Sequence, residues 1–315
     1  MAKYRAYEQV LFQDMPRVVL EGENAQAAIV PMRGFNWYSF IVDGREVMTP
    51  VGDLGRGGYG APVMFPTPNR VRDCHYTFRG KTYHQTKAGK EVYLHGLVGS
   101  EPFSYEYGSD DTGAWVTGSI SIKEGDHMIE GYPFPCTLTM TYKLSGKAVT
   151  LSYSVENQGS EDMPFGFGVH TYFTKMGDPS RVEIMVPADG RYEAIELLPT
   201  GNLLPNEGPE YGIASFRKLS ELDLDDVYYG LGGPNKDAKI RYLDWGKEVT
   251  LSCSEEFKHM VVFCPHRLVG FCMENQTNMT DFINMNEKGQ PNTGILVAKP
   301  GEKMGGFIKV EVDNI

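Results

Sequence analysis

The chain has 315 residues, of which 41% are hydrophobic and 23% are charged, as in ordinary soluble globular proteins. Its formal net charge is −11 and it has no cluster of lysine and arginine, which argues against nucleic acids and anionic membranes as partners, because both recruit basic patches. Its five cysteines are odd in number, widely spaced and without a CxxC pair; they predict reduced thiols in a cytoplasmic protein rather than a disulfide framework.

The predicted elements begin after an N-terminal segment, MAKYRAYEQVLFQD, that lacks the apolar centre of a signal peptide. No later stretch resembles a membrane span. The segment AQAAIVPMRGFNWYSFIVDGREV predicts two strands joined at a glycine turn and then a hairpin at Asp43 and Gly44. HYTFRGKTYHQT predicts a second tight hairpin, at Arg79 and Gly80.

The strand pattern is clearest in PCTLTMTYKLSGKAVTLSYSVENQG, where residues alternate at period two on both sides of a turn at Ser145 and Gly146. KIRYLDWGKEVTLSCS and GFIKVEV repeat this alternation. Helical periodicity is weak, and only single helical turns are expected, around SFRKLSELDLDD and AKPGEK. Many strands over the full length predict an all-β protein: one large antiparallel β-sandwich formed by a single domain, residues 1–315.

Polar residues in apolar, strand-like surroundings are the candidates for function, because their burial costs free energy unless they are paired. In FPTPNRVRDCHYTF, Asn69 and Arg70 follow two prolines and could offer donors to hydroxyl oxygens; a solvated surface turn is the alternative. In YLHG, His95 lies beside Gly96, which would let a ligand approach. A structural histidine is the alternative there.

A second histidine and a glutamate lie in similar settings. In FGFGVHTYFTK, His170 is surrounded by aromatic residues, and its neighbours Gly166 and Gly168 lack side chains where a ligand could approach. In VGFCMENQTN, Glu274 ends an apolar strand, where burial would raise its pKa into the range of a general base. A core histidine and an arginine-paired carboxylate are the alternatives.

Other catalytic patterns are missing from the sequence. It contains no serine nucleophile elbow, no phosphate-binding glycine loop and no His-x-x-x-His spacing. No metal or other cofactor is required, although two histidines and a glutamate could bind zinc. Asp225 or Asp226, in LDLDDVYYG, is a further candidate for the same site.

These segments share an order along the chain that resembles the aldose 1-epimerase (galactose mutarotase) family over most of its length. Each landmark alone is weakly specific, whereas the full set in the correct order is specific. The landmarks are PNRVRDCHYTFRGKTYHQ, YLHG, EGYPFPCTLTMTYKL, GFGVHTYFTK, LLPTGNLLP, SFRK, LDDVYYG, GFCMENQTN and LVAKPGEK.

The resemblance implies a galactose mutarotase-like supersandwich with a sugar cleft on one face. It implies that Glu274 is the general base and His170 the general acid, with one on each side of the reacting centre. His95 would polarise the sugar. The implied substrate-binding residues are Arg70, Asn69 and Asp225.

Three departures from the family pattern suggest a divergent branch and leave the preferred sugar open. Asn275 follows the glutamate where proline is usual, Val169 precedes His170 where asparagine is common, and FPTP replaces a glycine-rich approach to Asn69.

The predicted function is the interconversion of the α and β anomers of a free aldose, by a monomer or homodimer whose partner is a small sugar. Ionised Glu274 would take the O1 proton while protonated His170 donates to the ring oxygen. Tyr172, Phe173 and Trp37 are candidates for stacking on the sugar.

Three alternatives stay open at this point. A hexose-6-phosphate 1-epimerase would need further basic residues around the phosphate, for which Arg72 is the candidate. A non-catalytic carbohydrate-binding protein would not need a matched acid and base. A hydrolase or lyase would need a second catalytic carboxylate pair, and none is evident.

Overall fold

A computed structural model describes residues 3–10, 15–49 and 60–315 of the chain. This part is dominated by strands, and its helices are α1 (Gly208–Tyr211) and α2 (Phe282–Glu287). Within it, no helix is long and apolar enough to cross a membrane. The strands are β1 (Arg5–Val10), β2 (Pro16–Glu21), β3 (Ala25–Val30), β4 (Asn36–Val42), β5 (Arg45–Glu46), β6 (Val63–Met64), β7 (His75–Phe78), β8 (Lys81–His84), β9 (Thr86–Lys87), β10 (Lys90–Glu91), β11 (Ser104–Asp110), β12 (Gly113–Ile122), β13 (Cys136–Ser145), β14 (Ala148–Asn157), β15 (Met163–Phe165), β16 (Gly168–Val169), β17 (Tyr172–Thr174), β18 (Val182–Met185), β19 (Gly190–Ile195), β20 (Leu198–Pro205), β21 (Arg217–Lys218), β22 (Asp225–Tyr229), β23 (Ala238–Tyr242), β24 (Lys247–Cys253), β25 (His259–Phe263), β26 (Gly270–Gln276), β27 (Leu296–Ala298) and β28 (Lys303–Asn314).

Antiparallel pairing joins these strands into three larger sheets. The first has five strands in the order β1-β2-β3-β4-β5. The second has nine, in the order β11-β12-β13-β14-β28-β24-β23-β18-β21. The third has eight and contains the path β20-β19-β22-β25-β26-β16-β6, with β17 also paired to β26.

The predicted hairpins form, one of them with a shifted turn. β4 and β5 meet across Asp43 and Gly44, and β7 and β8 meet across Arg79 and Gly80. Between β13 and β14 the turn is one residue later than predicted, because Ser145 still pairs with Ala148. A 3-10 turn at residues 219–221 lies within one of the segments expected to form a helical turn, whereas α2 was not predicted.

The core lies between the sheets. Strand β13 alternates between buried and half-buried residues, so one of its faces is inside, as period-two patterning requires. Tyr142 of β13 contacts Phe35, with ring centroids 5.6 Å apart, on the side of the five-stranded sheet. Tyr153 of β14 stacks on Phe167, at 3.9 Å, next to the eight-stranded sheet. The fold is the predicted large antiparallel β-sandwich; its organisation as a single domain stays a prediction.

The eight-stranded sheet positions polar side chains on one face of its centre. In β26, Cys272, Glu274 and Gln276 share a face because side chains alternate along a strand. Val261, in the middle of β25, pairs with Glu274, and Phe263, at the end of β25, pairs with Asp225 of β22.

Candidate active site

A cavity of about 390 Å³ opens on this face of the eight-stranded sheet. Its volume is within the range of pockets that bind small molecules. It collects residues from seven separate parts of the chain. The described residues that line it are Pro62, Asn69, Arg70, Leu94, His95, His170, Tyr172, Asp225, Val261, Phe263 and Glu274. All six residues chosen from the sequence therefore lie on its wall.

Glu274 lies in the middle of β26 rather than at its end, and only 2% of its side chain is exposed. Burial is the main reason why its pKa lies well above the usual value, and the charge of Asp225 adds to this effect. Gln276, on the same face, donates from Nε2 to Oε2 of the carboxyl group at 2.9 Å, which opposes the rise in pKa. Sequence reasoning missed Gln276, although its position two residues after Glu274 on a buried strand was a usable signal.

His170 follows β16, and its Nε2 lies 3.2 Å from Oε1 of Glu274. The ring stacks on Tyr172, with centroids 4.5 Å apart. Burial lowers the pKa of His170 well below its usual value, and the nearby His95 and Arg70 lower it further. The sequence-based expectation was an ionised glutamate and a protonated histidine. Instead, the pKa directions favour a neutral pair in the ligand-free protein, with the shared proton on Glu274, because burial penalises both charges.

His95 reaches the cavity from a turn rather than from a strand edge. Its φ is +63°, and its backbone N–H donates to the carbonyl of Asn69 at 2.8 Å. Its ring meets that of His170 edge to face, with centroids 5.1 Å apart. Burial, and secondarily Arg70, lower the pKa of His95 to about 4, so that this ring is neutral at pH 7.

The glycines next to these histidines serve packing. A Cβ on Gly96, whose φ is +74°, would lie 2.3 Å from the carbonyl oxygen of Phe65. A Cβ on Gly166 would lie 2.1 Å from Oδ1 of Asn278, and one on Gly168 would lie 2.9 Å from Cγ of Gln276. The expectation that these glycines make room for a ligand was wrong, since protein atoms occupy that room.

Asn69 holds Arg70 in place. Its Oδ1 accepts hydrogen bonds from the backbone N–H of Arg70 at 2.9 Å and from Nη1 at 3.1 Å. The backbones of Arg70 and Leu94 also form an isolated antiparallel β-bridge. Through this contact and the bond from His95 to Asn69, two motifs more than twenty residues apart meet at the same wall of the cavity.

The two candidate aspartates have different surroundings. Asp225 lines the cavity, and burial raises its pKa while Arg70 opposes the rise. Asp226 forms an ion pair with Arg191, whose Nη1 lies 3.1 Å from Oδ1. Asp225 is therefore the aspartate that can reach a bound ligand in the cavity.

The candidates for stacking on the sugar and for binding a phosphate differ in whether they line the cavity. Tyr172 lines the cavity, whereas Phe173 and Trp37 are 0% and 3% exposed in the hydrophobic core. Phe263 is an aromatic wall residue that the sequence analysis missed. Arg72 lies in a neighbouring groove, with Nε 3.7 Å from Oδ2 of Asp281.

Among the residues that the structure describes, one group of side chains could hold a metal ion. His170, Cys272 and Glu274 each offer one ligand atom, and these atoms lie within 4.8 Å of one another. Imidazole, thiolate and carboxylate are ligands that zinc accepts. The absence of a metal from the reaction stays a prediction.

Comparison with known proteins identifies the family. The family model for aldose 1-epimerase matches residues 16–311 of the chain. The chain belongs to the aldose 1-epimerase family.

The resemblance seen in the sequence is thereby confirmed, and the divergence of this family member is visible in its curated relatives. YphB of Escherichia coli K12 is 24% identical over 264 residues, which cover 79% of this chain and 82% of that protein. LacX of Lactococcus lactis is 28% identical over 114 residues, or 36% of each chain.

Solved structures show that this aldose 1-epimerase family member shares its fold with distant proteins. A galactose mutarotase-like protein from Clostridium acetobutylicum superposes with a TM-score of 0.84 at 20% identity, covering 98% of both chains. A putative aldose 1-epimerase from Escherichia coli K12 gives a TM-score of 0.76 at 18% identity, covering 93% of this chain and 97% of that one. These likenesses confirm the predicted sandwich.

Proposed function

We propose that this family member is a mutarotase that interconverts the α and β anomers of a free aldose by opening and reclosing the ring. The observation that carries the proposal is the 3.2 Å contact between Glu274 and His170 on the wall of a cavity large enough for a pyranose. The reaction needs one proton acceptor and one proton donor and no redox partner. Each positioned proton transfer contributes about 10²–10⁴-fold to the rate.

The adjacency of the two groups matches the geometry of the reacting centre. O1 and the ring oxygen are both bonded to C1, so the acid and the base must act on two neighbouring atoms. This replaces the sequence-based picture of groups on opposite sides. Glu274 takes the O1 proton, His170 donates to the ring oxygen, and the ring opens to an aldehyde. Rotation about C1–C2 and the reverse transfers close the ring to the other anomer.

One proton shared by the pair is sufficient for the whole cycle. Ring opening starts from ionised Glu274 and protonated His170 and leaves protonated Glu274 and neutral His170. Ring closure returns the pair to its first state. The neutral pair favoured by burial is therefore the state that binds the open aldehyde, and the charged pair is the state that binds the cyclic sugar. In the charged pair, the contact between the two groups offsets part of the penalty of burial.

The remaining wall residues bind and polarise the sugar. Neutral His95 donates a hydrogen bond to the oxygen on which charge develops, and Arg70 adds electrostatic stabilisation. Asn69 fixes Arg70, and Asp225 accepts hydrogen bonds from sugar hydroxyl groups. Tyr172, which stacks on His170, offers an aromatic wall to the apolar face of the ring.

A phosphorylated substrate fits this cavity less well. Among the described residues that line it, Arg70 is the only lysine or arginine, and Asp225 and Glu274 are also present. Arg72 lies outside it and faces a carboxylate. We therefore favour a free aldose. The cytoplasmic location and the monomeric or dimeric state remain predictions.

Polarimetry tests the proposal directly. Freshly dissolved α-D-glucose and α-D-galactose should approach anomeric equilibrium faster with the protein than without it, in proportion to protein concentration. Unchanged rates for both sugars and for their 6-phosphates would contradict an epimerase function.

A further inference from the structure

Cys272 is a buried thiol that the proposed acid–base reaction does not use. It lies on β26 two residues before Glu274, so the two side chains share one face of the strand. Cys272 is 0% exposed and does not belong to the described lining of the cavity. The thiol is therefore a neighbour of the proposed base without contacting the space that a sugar would fill.

Strand pairing brings a third ligand to the same place. β16 pairs with β26 through Gly168 and β17 pairs with β26 through Tyr172, so the chain between them runs alongside β26 and carries His170 to Glu274. Nε2 of His170 lies 3.2 Å from Oε1 of Glu274, and Sγ of Cys272 completes a group whose atoms lie within 4.8 Å of one another. Two ligand atoms of one tetrahedral zinc ion lie about 3–4 Å apart. A small shift of the thiol therefore lets a single ion contact all three side chains.

The charges of these groups match a divalent cation. With neutral His170, the thiolate of Cys272 and the carboxylate of Glu274 balance Zn²⁺, and burial opposes any charge that is left unbalanced. Zinc binding releases two protons to the solvent, one from the thiol and one from the Glu274–His170 pair, so the net charge of the site does not change. Thiolate and imidazole ligands favour zinc over magnesium and calcium, which prefer oxygen ligands.

Two features indicate that such an ion binds reversibly. Three protein ligands leave one position of a tetrahedral zinc ion for water, as in zinc sites that exchange ligands. A histidine that holds a resident metal usually donates its other ring N–H to a carboxylate or a carbonyl. Nδ1 of His170 is buried and has no hydrogen-bond partner among the described residues. The ring therefore lacks the support that a permanent metal centre has.

We propose that His170, Cys272 and Glu274 form an inhibitory zinc site, in which one Zn²⁺ ion stops anomer exchange. The inference rests on the proposed function, because the ion occupies both the base and the acid of that reaction. Zinc and the sugar exclude each other, since both need Glu274 and His170. Cys272 gives the site its preference for zinc, and the rate of the reaction depends on the concentration of free zinc.

Metal binding is tested first, without any measurement of activity. Metal-free, reduced protein is titrated with Zn²⁺ by calorimetry and with Co²⁺ by absorption spectroscopy, since cobalt bound to a thiolate gives an intense charge-transfer band. The wild type should bind one ion per chain and show this band. Cys272→Ala should remove the band and weaken zinc binding at least tenfold. Cys136→Ala is the matched control, because Cys136 is also 0% exposed on a strand but lies outside the zinc site; it should keep the band and the affinity.

Polarimetry at sugar concentrations below KM then measures inhibition, with each variant compared with its own metal-free rate. Zinc at ten times its Kd should leave about one tenth of the wild-type rate, and EDTA should restore the full rate. Mg²⁺ at the same concentration should have no effect. The same zinc concentration should inhibit Cys136→Ala as strongly as the wild type and Cys272→Ala far less.

A second variant covers the case in which Cys272→Ala misfolds. Glu274→Gln removes the carboxylate ligand without removing the side chain, and it should weaken zinc binding at least tenfold. A wild-type protein without the thiolate band, or one that stays fully active when zinc binding is saturated, would overturn the zinc site. Zinc binding that depends on Cys272, in a protein that turns over no sugar, would support the site and contradict the mutarotase function instead.

Discussion

Oε1 of Glu274 lies 3.2 Å from Nε2 of His170, although more than one hundred residues separate them in the chain. The pairing of β16 with β26, through Gly168 and Gln276, brings the two strands side by side. The contact couples the protonation of the two groups, so that the pair behaves as one acid–base unit.

Replacing Glu274 by glutamine should lower activity and raise stability together. A glutamine at this position can accept a hydrogen bond from Gln276 and donate one to His170, so the local hydrogen bonds survive. The general base is lost, and kcat should therefore fall by about 10²–10⁴-fold. The free energy of unfolding at pH 7 should rise by about 0.5–2 kcal/mol, the range of single stabilising substitutions. Polarimetry and urea denaturation measure the two effects.

The stability gain of this variant should depend on pH. Burial raises the pKa of Glu274 in the folded protein above 4.5, its usual value in an unfolded chain. Between the unfolded and the folded pKa, the folded state therefore binds a proton that the unfolded state has released. The wild type therefore loses stability as pH rises through this window, and the glutamine variant does not. A difference in stability that is constant between pH 5 and pH 8 would contradict the raised pKa.

The pH–rate profile should be bell-shaped, with its acid limb below pH 6.5. The active pair carries one proton. As pH falls, the pair gains a second proton on His170, whose pKa is below its usual 6.5. As pH rises, the pair loses its proton from Glu274, whose pKa is above its usual 4.5. In the neutral pair, a lower pKa of His170 moves the acid limb to lower pH, and a higher pKa of Glu274 moves the basic limb to higher pH. His95, with a pKa of about 4, is neutral above that value. Initial rates of anomer exchange at a series of pH values measure the profile. An acid limb centred at or above pH 6.5 would be inconsistent with this arrangement.

His170→Asn should lower kcat by about 10²–10⁴-fold, because the donor to the ring oxygen is lost. His84→Asn is the matched control: His84 lies on the exposed β7–β8 hairpin, where its ring stacks on His75 with centroids 4.2 Å apart. Both variants should retain the wild-type circular dichroism spectrum. Comparable losses of activity in the two would show that the assignment of His170 is wrong.

Asn69→Ala should raise KM by roughly tenfold and change kcat less, because a lost hydrogen bond to a charged group costs about 1.5 kcal/mol and Arg70 is no longer held in place. Asn235→Ala is its control, since Asn235 adopts the same left-handed conformation in an exposed loop. Steady-state kinetics on both variants separate the loss of positioning from simple backbone strain. The same KM in both variants would argue against a role for Asn69 in sugar binding.

Removal of metal ions should leave kcat unchanged. The grouping of His170, Cys272 and Glu274 makes this prediction worth testing, because zinc bound there would occupy the acid and the base themselves. Activity after dialysis against EDTA, together with the metal content of the purified protein, measures the outcome. Loss of activity that zinc restores would overturn the metal-free mechanism.

Local patterns carried the successful predictions. Period-two alternation in β13 and β14 and the Asp43 and Arg79 hairpins depend on neighbouring residues only, so they are readable along the chain. The six candidate site residues, which all line the cavity, were chosen because polar groups in apolar segments and an ordered set of family landmarks are also visible along the chain; their roles stay a prediction. The turn after Ser145 was displaced by one residue because strand pairing continued past it.

The sequence by itself determined the all-β architecture, the family and which polar residues to place in one site, since each depends on residue types and their order. Tertiary structure alone decided that Glu274 and His170 touch, that Tyr172 rather than Trp37 or Phe173 faces the cavity, and that Gln276 supports the carboxyl group. Burial in the folded protein also set the directions in which the pKa values of these two groups move. Contacts between distant strands and the degree of burial set these properties, and neither is encoded in any short segment of the chain.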